Sequence, residues 1–252
     1  MKVTVLGSGT STGVPQVGCQ CAVCTSTDAR DRRLRCSSLF ETETTRVLVD
    51  CSADFREQSL HIPYRKIDGV LVTHEHYDHV GGIDDLRPFC VFGDVNIYGE
   101  AIVNQRLRER LPYCFRETLY PGVPKINLND VEPGQSFWVG DIQITPLRVM
   151  HGKLPILGYR LNNVVYITDM TSFPEEGWEL LQGCDLLIEN ALRKEPHPSH
   201  QTVASAIAFA ERLGCPETYL VHMSHSIGLH AQVDADLPPY MHLAYDGLTV
   251  QL

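Results

Sequence analysis

Val70-Leu71-Val72-Thr73-His74-Glu75-His76-Tyr77-Asp78-His79-Val80-Gly81-Gly82 decides how the rest of this 252-residue chain is read. Val70 to Val72 is a short apolar run, the mark of a buried strand. It empties into a loop carrying His74, His76, Asp78 and His79 ahead of two glycines. Imidazoles and a carboxylate at this density are ligands for zinc, manganese or iron. On an extended segment His-x-His turns both rings to one side, which leaves Asp78 and His79 to face a second ion. A solvated histidine loop is the competing reading.

Other strand ends deliver further ligand types. His151 closes the strand pattern of Val149-Met150, and His222 follows Thr218 to Val221. Asp169 follows Val164 to Thr168, and a carboxylate there can bridge two ions about 3.5 to 4 Å apart. Cys19, Cys21 and Cys24 can set three thiolates around one tetrahedral ion, with His225 as the fourth ligand of a closed Cys3His zinc site. Buried free cysteines are the alternative. Cys36, Cys51, Cys90, Cys114, Cys184 and Cys215 are scattered and read as small core residues.

Three more residues stay open between roles. Asp50 ends a strand and either orients a metal-ligating histidine or caps the strand. Lys153 either meets a substrate phosphate or is solvated, and Asp246 either supports the site or shapes a turn. The glycine-rich loop Gly7 to Pro15 either lines a site or simply turns, and no Lys-Ser/Thr follows to complete a P-loop, so a nucleoside triphosphate site is not supported.

The patterns predict hairpins over 36–50, 136–147 and 157–168, several antiparallel strands across Lys125 to Met150, and helices over 54–61, 83–90, 101–110, 175–181 and 201–213. With 43% hydrophobic residues the chain can bury one large core, so a single domain over 1–252 is expected. Its net charge of −10 argues against a surface for long nucleic acid. No apolar run approaches the roughly 18 residues of a membrane span. Nine cysteines without an export signal predict thiols and metal ligation in a soluble, cytoplasmic protein. Oligomeric state stays open, a homodimer included.

The H-x-H-x-D-H motif between an apolar strand and Gly-Gly resembles the signature of the metallo-β-lactamase superfamily. Taken with the Gly7 to Pro15 loop, the cysteine triplet, His151 with Lys153 and Gly158-Tyr159, Thr168-Asp169, His200, His222-x-x-His225 and Asp246-Gly247, the chain is similar nearly end to end to the phosphoribosyl cyclic phosphate phosphodiesterase (PhnP) family. That resemblance implies an α/β fold, an αββα four-layer sandwich, with a binuclear Mn or Zn centre and a separate structural zinc. His74, His76 and His151 would hold one ion, Asp78, His79 and His222 the other, and Asp169 would bridge. Asp78 and His200 count as catalytic, His200 as the general acid for the leaving group. The substrate implied is 5-phosphoribosyl 1,2-cyclic phosphate or a 2′,3′-cyclic nucleotide, attacked by water activated between the ions. Rivals are a tRNase Z-like endoribonuclease, although no basic RNA-gripping insertion is evident, and a glyoxalase II-like thioesterase, which would not call for the cysteine triplet. A class B β-lactamase would place a cysteine where Asp169 stands. A catalytically silent metal- or nucleotide-binding protein is the rival from outside enzymology.

Overall fold

The computed structural model describes residues 1–252 apart from 117 and 119–121. Numbered along the chain, the first sheet runs β14 (Thr249–Gln251), β1 (Lys2–Gly7), β2 (Ser37–Glu41), β3 (Arg46–Val49), β4 (Gly69–Leu71), β5 (Val95–Gly99) and β6 (Ile126–Asp130). The second runs β13 (Met241–Leu243), β12 (Thr218–Val221), β11 (Leu186–Asn190), β10 (Val164–Ile167), β9 (Leu154–Leu161), β8 (Ile142–His151) and β7 (Phe137–Val139). Both sheets share one plan. From β14 to β3, and from β7 to β10, neighbours are antiparallel; from β3 to β6, and from β10 to β13, they are parallel.

Alternation along each strand sorts its residues between two apolar layers. Val47 and Val49 of β3 face Tyr159, Tyr166 and Ile188 in the core between the sheets. Leu48 turns outward, into the layer beneath α1 (Phe55–Ser59), the 3-10 stretch Ile83–Phe92 and α3 (Ala101–Arg110). On the far side Val165, Leu187 and Leu220 pack under α4 (Val203–Leu213) and α5 (His230–Asp236). The layers are therefore helix, sheet, sheet, helix, the αββα sandwich expected. No helix among the described residues is long and apolar enough to cross a membrane.

Three expectations need correction. Alternation over 125–150 places Ile126–Asp130 in the antiparallel run, but it lies parallel to β5 in the first sheet. Ile83–Phe92 and Glu175–Leu181 wind as 3-10 helix, the first with Pro88 inside it. Proline removes a backbone donor and clashes with the preceding turn, so a regular α-helix cannot run through that stretch. The strand β13 and helix α5 were not foreseen.

Glu189 also breaks the apolar pattern. It sits on β11 between Ile167 and Leu220, fully buried, with both carboxyl oxygens unpartnered among the described residues. Burial pushes its pKa well above the usual glutamate range. The contribution to stability is thus fully favourable below about pH 4 and is lost as pH rises towards the folded pKa. Glu189→Gln should be more stable than the parent, by a margin that grows with pH at up to about 1.4 kcal/mol per unit. Paired thermal melts from pH 6 to 9 check this, and a margin independent of pH would contradict it.

Candidate metal centre

The candidate ligands gather at the carboxyl ends of β4, β8, β10 and β12, the edge where open α/β sheets place their ligands. Two contacts draw the second sheet against the motif. The Tyr159 hydroxyl donates to Val72 O at 2.6 Å, and Leu157 N donates to Thr73 O at 3.0 Å. Beyond β4 the chain turns into the single helical turn α2 (Tyr77–Val80), which carries Asp78 and His79. Gly82 is obligatory there, because a Cβ would lie 2.1 Å from Ser52 O.

Hydrogen bonds assign the free nitrogen of three imidazoles. Asp50 accepts from Thr73 N at 2.9 Å, and the Thr73 hydroxyl lies 2.9 Å from its other oxygen. His79 Nδ1 donates to Asp50 at 2.7 Å, which leaves Nε2 facing Asp78 and Asp169, each at 3.2 Å. His74 Nδ1 donates to the Thr73 hydroxyl at 3.0 Å, leaving Nε2 only 3.0 Å from His76 Nδ1. His151 Nδ1 donates to Ser199 O at 2.7 Å. His222 Nε2 lies 3.4 Å from Asp78 and 3.3 Å from Asp169.

The donor atoms fall into overlapping groups with all atoms within 4.8 Å: His74, His76 and His151; Asp78, His79 and His222; and Asp169 with His74 and His79, or with His151 and His200. Asp169 thus touches both histidine sets. Asp50, Asp169 and His222 all have left-handed backbones, with φ of 59°, 56° and 56°. Such conformations cost on the order of 1 to 3 kcal/mol each and persist where surroundings over-determine them.

This donor set fits divalent cations. Asp50, Asp78 and Asp169 are all buried. Burial alone would raise Asp169, but the charges of His222 and His79 outweigh it and hold the carboxyl well below its usual range. Burial likewise opposes charge on His79, and the three carboxylates overcome it and hold the ring well above its usual value. The buried His79 Nε2 makes no hydrogen bond among the described residues. A site that needs this much positive charge, with an imidazole nitrogen left over, suits metal binding. Asp50 therefore orients a histidine rather than merely capping β3. Asp50→Asn should weaken metal binding about 10 to 100-fold with the fold intact, as read by competition with a chromogenic chelator; parental affinity would contradict that role.

His200 joins the cleft from the segment after β11. Its Nδ1 is 3.6 Å from Asp169, and its ring lies 4.7 Å from His151 and 5.0 Å from His222. Burial first, then the neighbouring His222, pushes it down to about 3, so it stands neutral at pH 7. Lys153 is exposed at the tip between β8 and β9. Asp246 accepts from Ser8 N at 2.8 Å and Leu34 N at 2.6 Å, which fastens the glycine loop. That loop meets the site through backbone hydrogen bonds, with Thr10 N donating to Met223 O beside His222. A cavity of about 830 Å³ on the outer face of β1 contains none of the candidate ligands.

The cysteine triplet forms a second candidate centre with His225. Cys19 Sγ and Cys21 Sγ each lie 3.3 Å from His225 Nδ1, and all four donors are within 4.8 Å of one another. Gln16 N donates to Cys24 Sγ at 3.3 Å. The Cys24 N–H, and then His225, hold the Cys21 thiol down to about 6, so it is a thiolate at neutral pH. Three sulfurs and one imidazole suit a closed tetrahedral zinc site.

Sequence reasoning missed the parts that act through other residues. Thr73 and the Ser199 carbonyl fix ring orientations, and neither carries a signal beyond adjacency to a histidine.

The family model for the β-lactamase superfamily domain matches residues 45–223. A Porphyromonas gingivalis protein named octanoyltransferase is 48% identical over 250 residues, covering 98% of this chain and 51% of that protein. The chain spans between 36% and 57% of the first curated relatives it matches. Among solved structures, a diphosphatase from the PhnP family is 37% identical with a TM-score of 0.92, covering 100% of this chain and 97% of the other. Zn²⁺-bound PqqB from Methylobacterium extorquens shares the fold at 19% identity and a TM-score of 0.82, with 100% of both chains covered.

Proposed function

The chain belongs to the metallo-β-lactamase superfamily, within its PhnP family, and on that premise we propose that it hydrolyses a small cyclic phosphodiester using two divalent ions. The substrate class is 5-phosphoribosyl 1,2-cyclic phosphate or a 2′,3′-cyclic nucleotide. The observation that carries the reading is the sharing of Asp169 between two histidine groups. His74, His76 and His151 would hold one ion, Asp78, His79 and His222 the other, with Asp169 shared between them; Cys19, Cys21, Cys24 and His225 would hold a structural zinc.

When bound, the ion pair, Mn or Zn, supplies Lewis acidity to a phosphate oxygen and brings the pKa of a water towards neutrality. The protein's share is orientation and proton transfer. Asp50 and Ser199 hold His79 and His151 by their Nδ1 atoms, so their Nε2 lone pairs stay aimed into the cleft. His200 lies beside Asp169 at the mouth of the same group. A phosphodiester anion seated next to it favours the imidazolium, which then gives its proton to the departing sugar oxygen.

A second reading is hydrolysis of a diphosphate, favoured by the description of the 37% identical neighbour as a diphosphatase. It uses the same ligands on a P–O–P rather than a P–O–C linkage. The test of class is turnover of bis-p-nitrophenyl phosphate against S-lactoylglutathione by protein reconstituted with Mn or Zn. Cleavage of the phosphodiester alone is expected. Cleavage of the thioester alone would overturn the proposal, and no turnover of either would favour a binding protein.

A further inference from the structure

Beneath the metal centre three side chains with no role in the chemistry form a line. Tyr166 and Thr168 stand two residues apart on and just beyond β10, so strand alternation turns both towards the first sheet. There they meet Cys36, at the entrance to β2. The Tyr166 hydroxyl is 3.3 Å from Cys36 Sγ, Cys36 Sγ is 3.9 Å from Thr168 Oγ1, and Thr168 Oγ1 is 2.8 Å from Asp169 Oδ2. All three are essentially fully buried. The same Asp169 oxygen is the one 3.2 Å from His79 Nε2.

Charge sets the direction of the protons. A carboxylate only accepts, so the single Thr168 proton goes to Asp169, its nearer and stronger partner. Cys36 Sγ lies 3.9 Å from the same hydroxyl, placed as an acceptor at the far side of it. Burial pushes the Cys36 thiol up to about 12, so it keeps its proton. Cys36 and Tyr166 share the hydrogen bond at 3.3 Å, the one hydrogen bond of the Tyr166 hydroxyl among the described residues. The line thus ends on the Thr168 proton given to Asp169. Next to Cys36, the Ser37 hydroxyl donates to Asp50 O at 2.8 Å. The entrance to β2 thus meets the backbone of Asp50 through Ser37 and the Thr168 hydroxyl beside Asp169 through Cys36.

We infer that Thr168, Cys36 and Tyr166 are positioning residues, a buried polar line that holds the Thr168 hydroxyl on Asp169 and so fixes the carboxylate in the orientation that lets it bridge two ions. The inference rests on the bridging role proposed above for Asp169. Simple core packing would need shape but no protons, and substitutions that change one without the other separate the two.

Zinc affinity measured by chelator competition, together with the visible absorption of the cobalt-substituted protein, tests it without recourse to turnover. Thr168→Val, nearly isosteric, should weaken binding about 10 to 100-fold and alter the cobalt spectrum, and Thr168→Ser should restore both. Tyr166→Phe and Cys36→Ala should weaken binding in the same direction by less, with Cys36→Ser close to the parent. Parental affinity and spectrum in both Thr168→Val and Tyr166→Phe would overturn the positioning role. Should Thr168→Val fail to fold, Tyr166→Phe against the parent decides alone. Asp169→Asn is measured alongside: if it keeps the parental metal content and affinity, the bridging role itself fails, whereas its loss beside parental Thr168→Val and Tyr166→Phe removes only the positioning role.

Discussion

Replacing His200 with alanine is expected to slow the opening of a ribose cyclic phosphate by about 10² to 10⁴-fold while leaving the metal content unchanged. The size follows from the leaving group. A sugar alkoxide is a strong base and cannot depart without a proton, and His200 is the imidazole in the cleft that none of the proposed ligand sets requires. A p-nitrophenolate or a phosphate leaves readily without one. The same variant should therefore lose far less activity on bis-p-nitrophenyl phosphate, and little on a diphosphate. Because His200 also lies within ligand distance of His151 and Asp169, metal analysis accompanies the kinetics. Loss of an ion would reassign it as a ligand, and an equal loss on every leaving group would remove it as the acid.

Removing one thiol of the cysteine centre should have the largest effect on stability. Structural zinc contributes on the order of 10 to 16 kcal/mol in peptides that fold only around it. Here the loop keeps other ties, such as Val14 N to Arg33 O and Cys19 N to Gln16 O, so the loss is partial. Cys21→Ala is expected to bind one zinc fewer and to melt at a clearly lower temperature. Activity should fall as well, although no sulfur reaches the cleft. His225 lies three residues beyond His222, and its anchorage helps fix the strained backbone there. Acid should mimic the substitution, because protons compete with the ion for the thiolates, and the ion holds them to a pH below the value of about 6 of the Cys21 thiol alone. An unchanged melt and an unchanged zinc count would contradict a structural site.

The candidate ligands were legible because each announces itself locally. His74 to His79 crowd into one loop, and His151, Asp169 and His222 each close an apolar or alternating run, so strand ends alone bring them to one edge. The residues that steer them were not legible. Asp50 meets His79 across 29 positions, and Cys36 meets Tyr166 across 130, and nothing in the local pattern encodes either contact. Pairing suffered the same blindness. Hairpins such as Phe137–Val139 with Ile142–His151 were read from alternation and a turn, whereas Ile126–Asp130 looked like part of that meander and joined the other sheet. A parallel partner is chosen by the crossover helix, not by the strand's own residues. Met241–Leu243 is too short to show a period at all. Glu189 argued against burial by its charge, and the surrounding layer took it in regardless.

The proposed chemistry is tested most directly by a turnover panel with the Mn- or Zn-reconstituted protein: 5-phosphoribosyl 1,2-cyclic phosphate, 2′,3′-cyclic AMP, a linear dinucleotide, a dinucleoside diphosphate and a precursor tRNA. The expected result is fast, selective opening of a cyclic phosphate that disappears with chelator and returns with metal. Cleavage confined to the diphosphate or to the precursor tRNA, with both cyclic esters untouched, would contradict it.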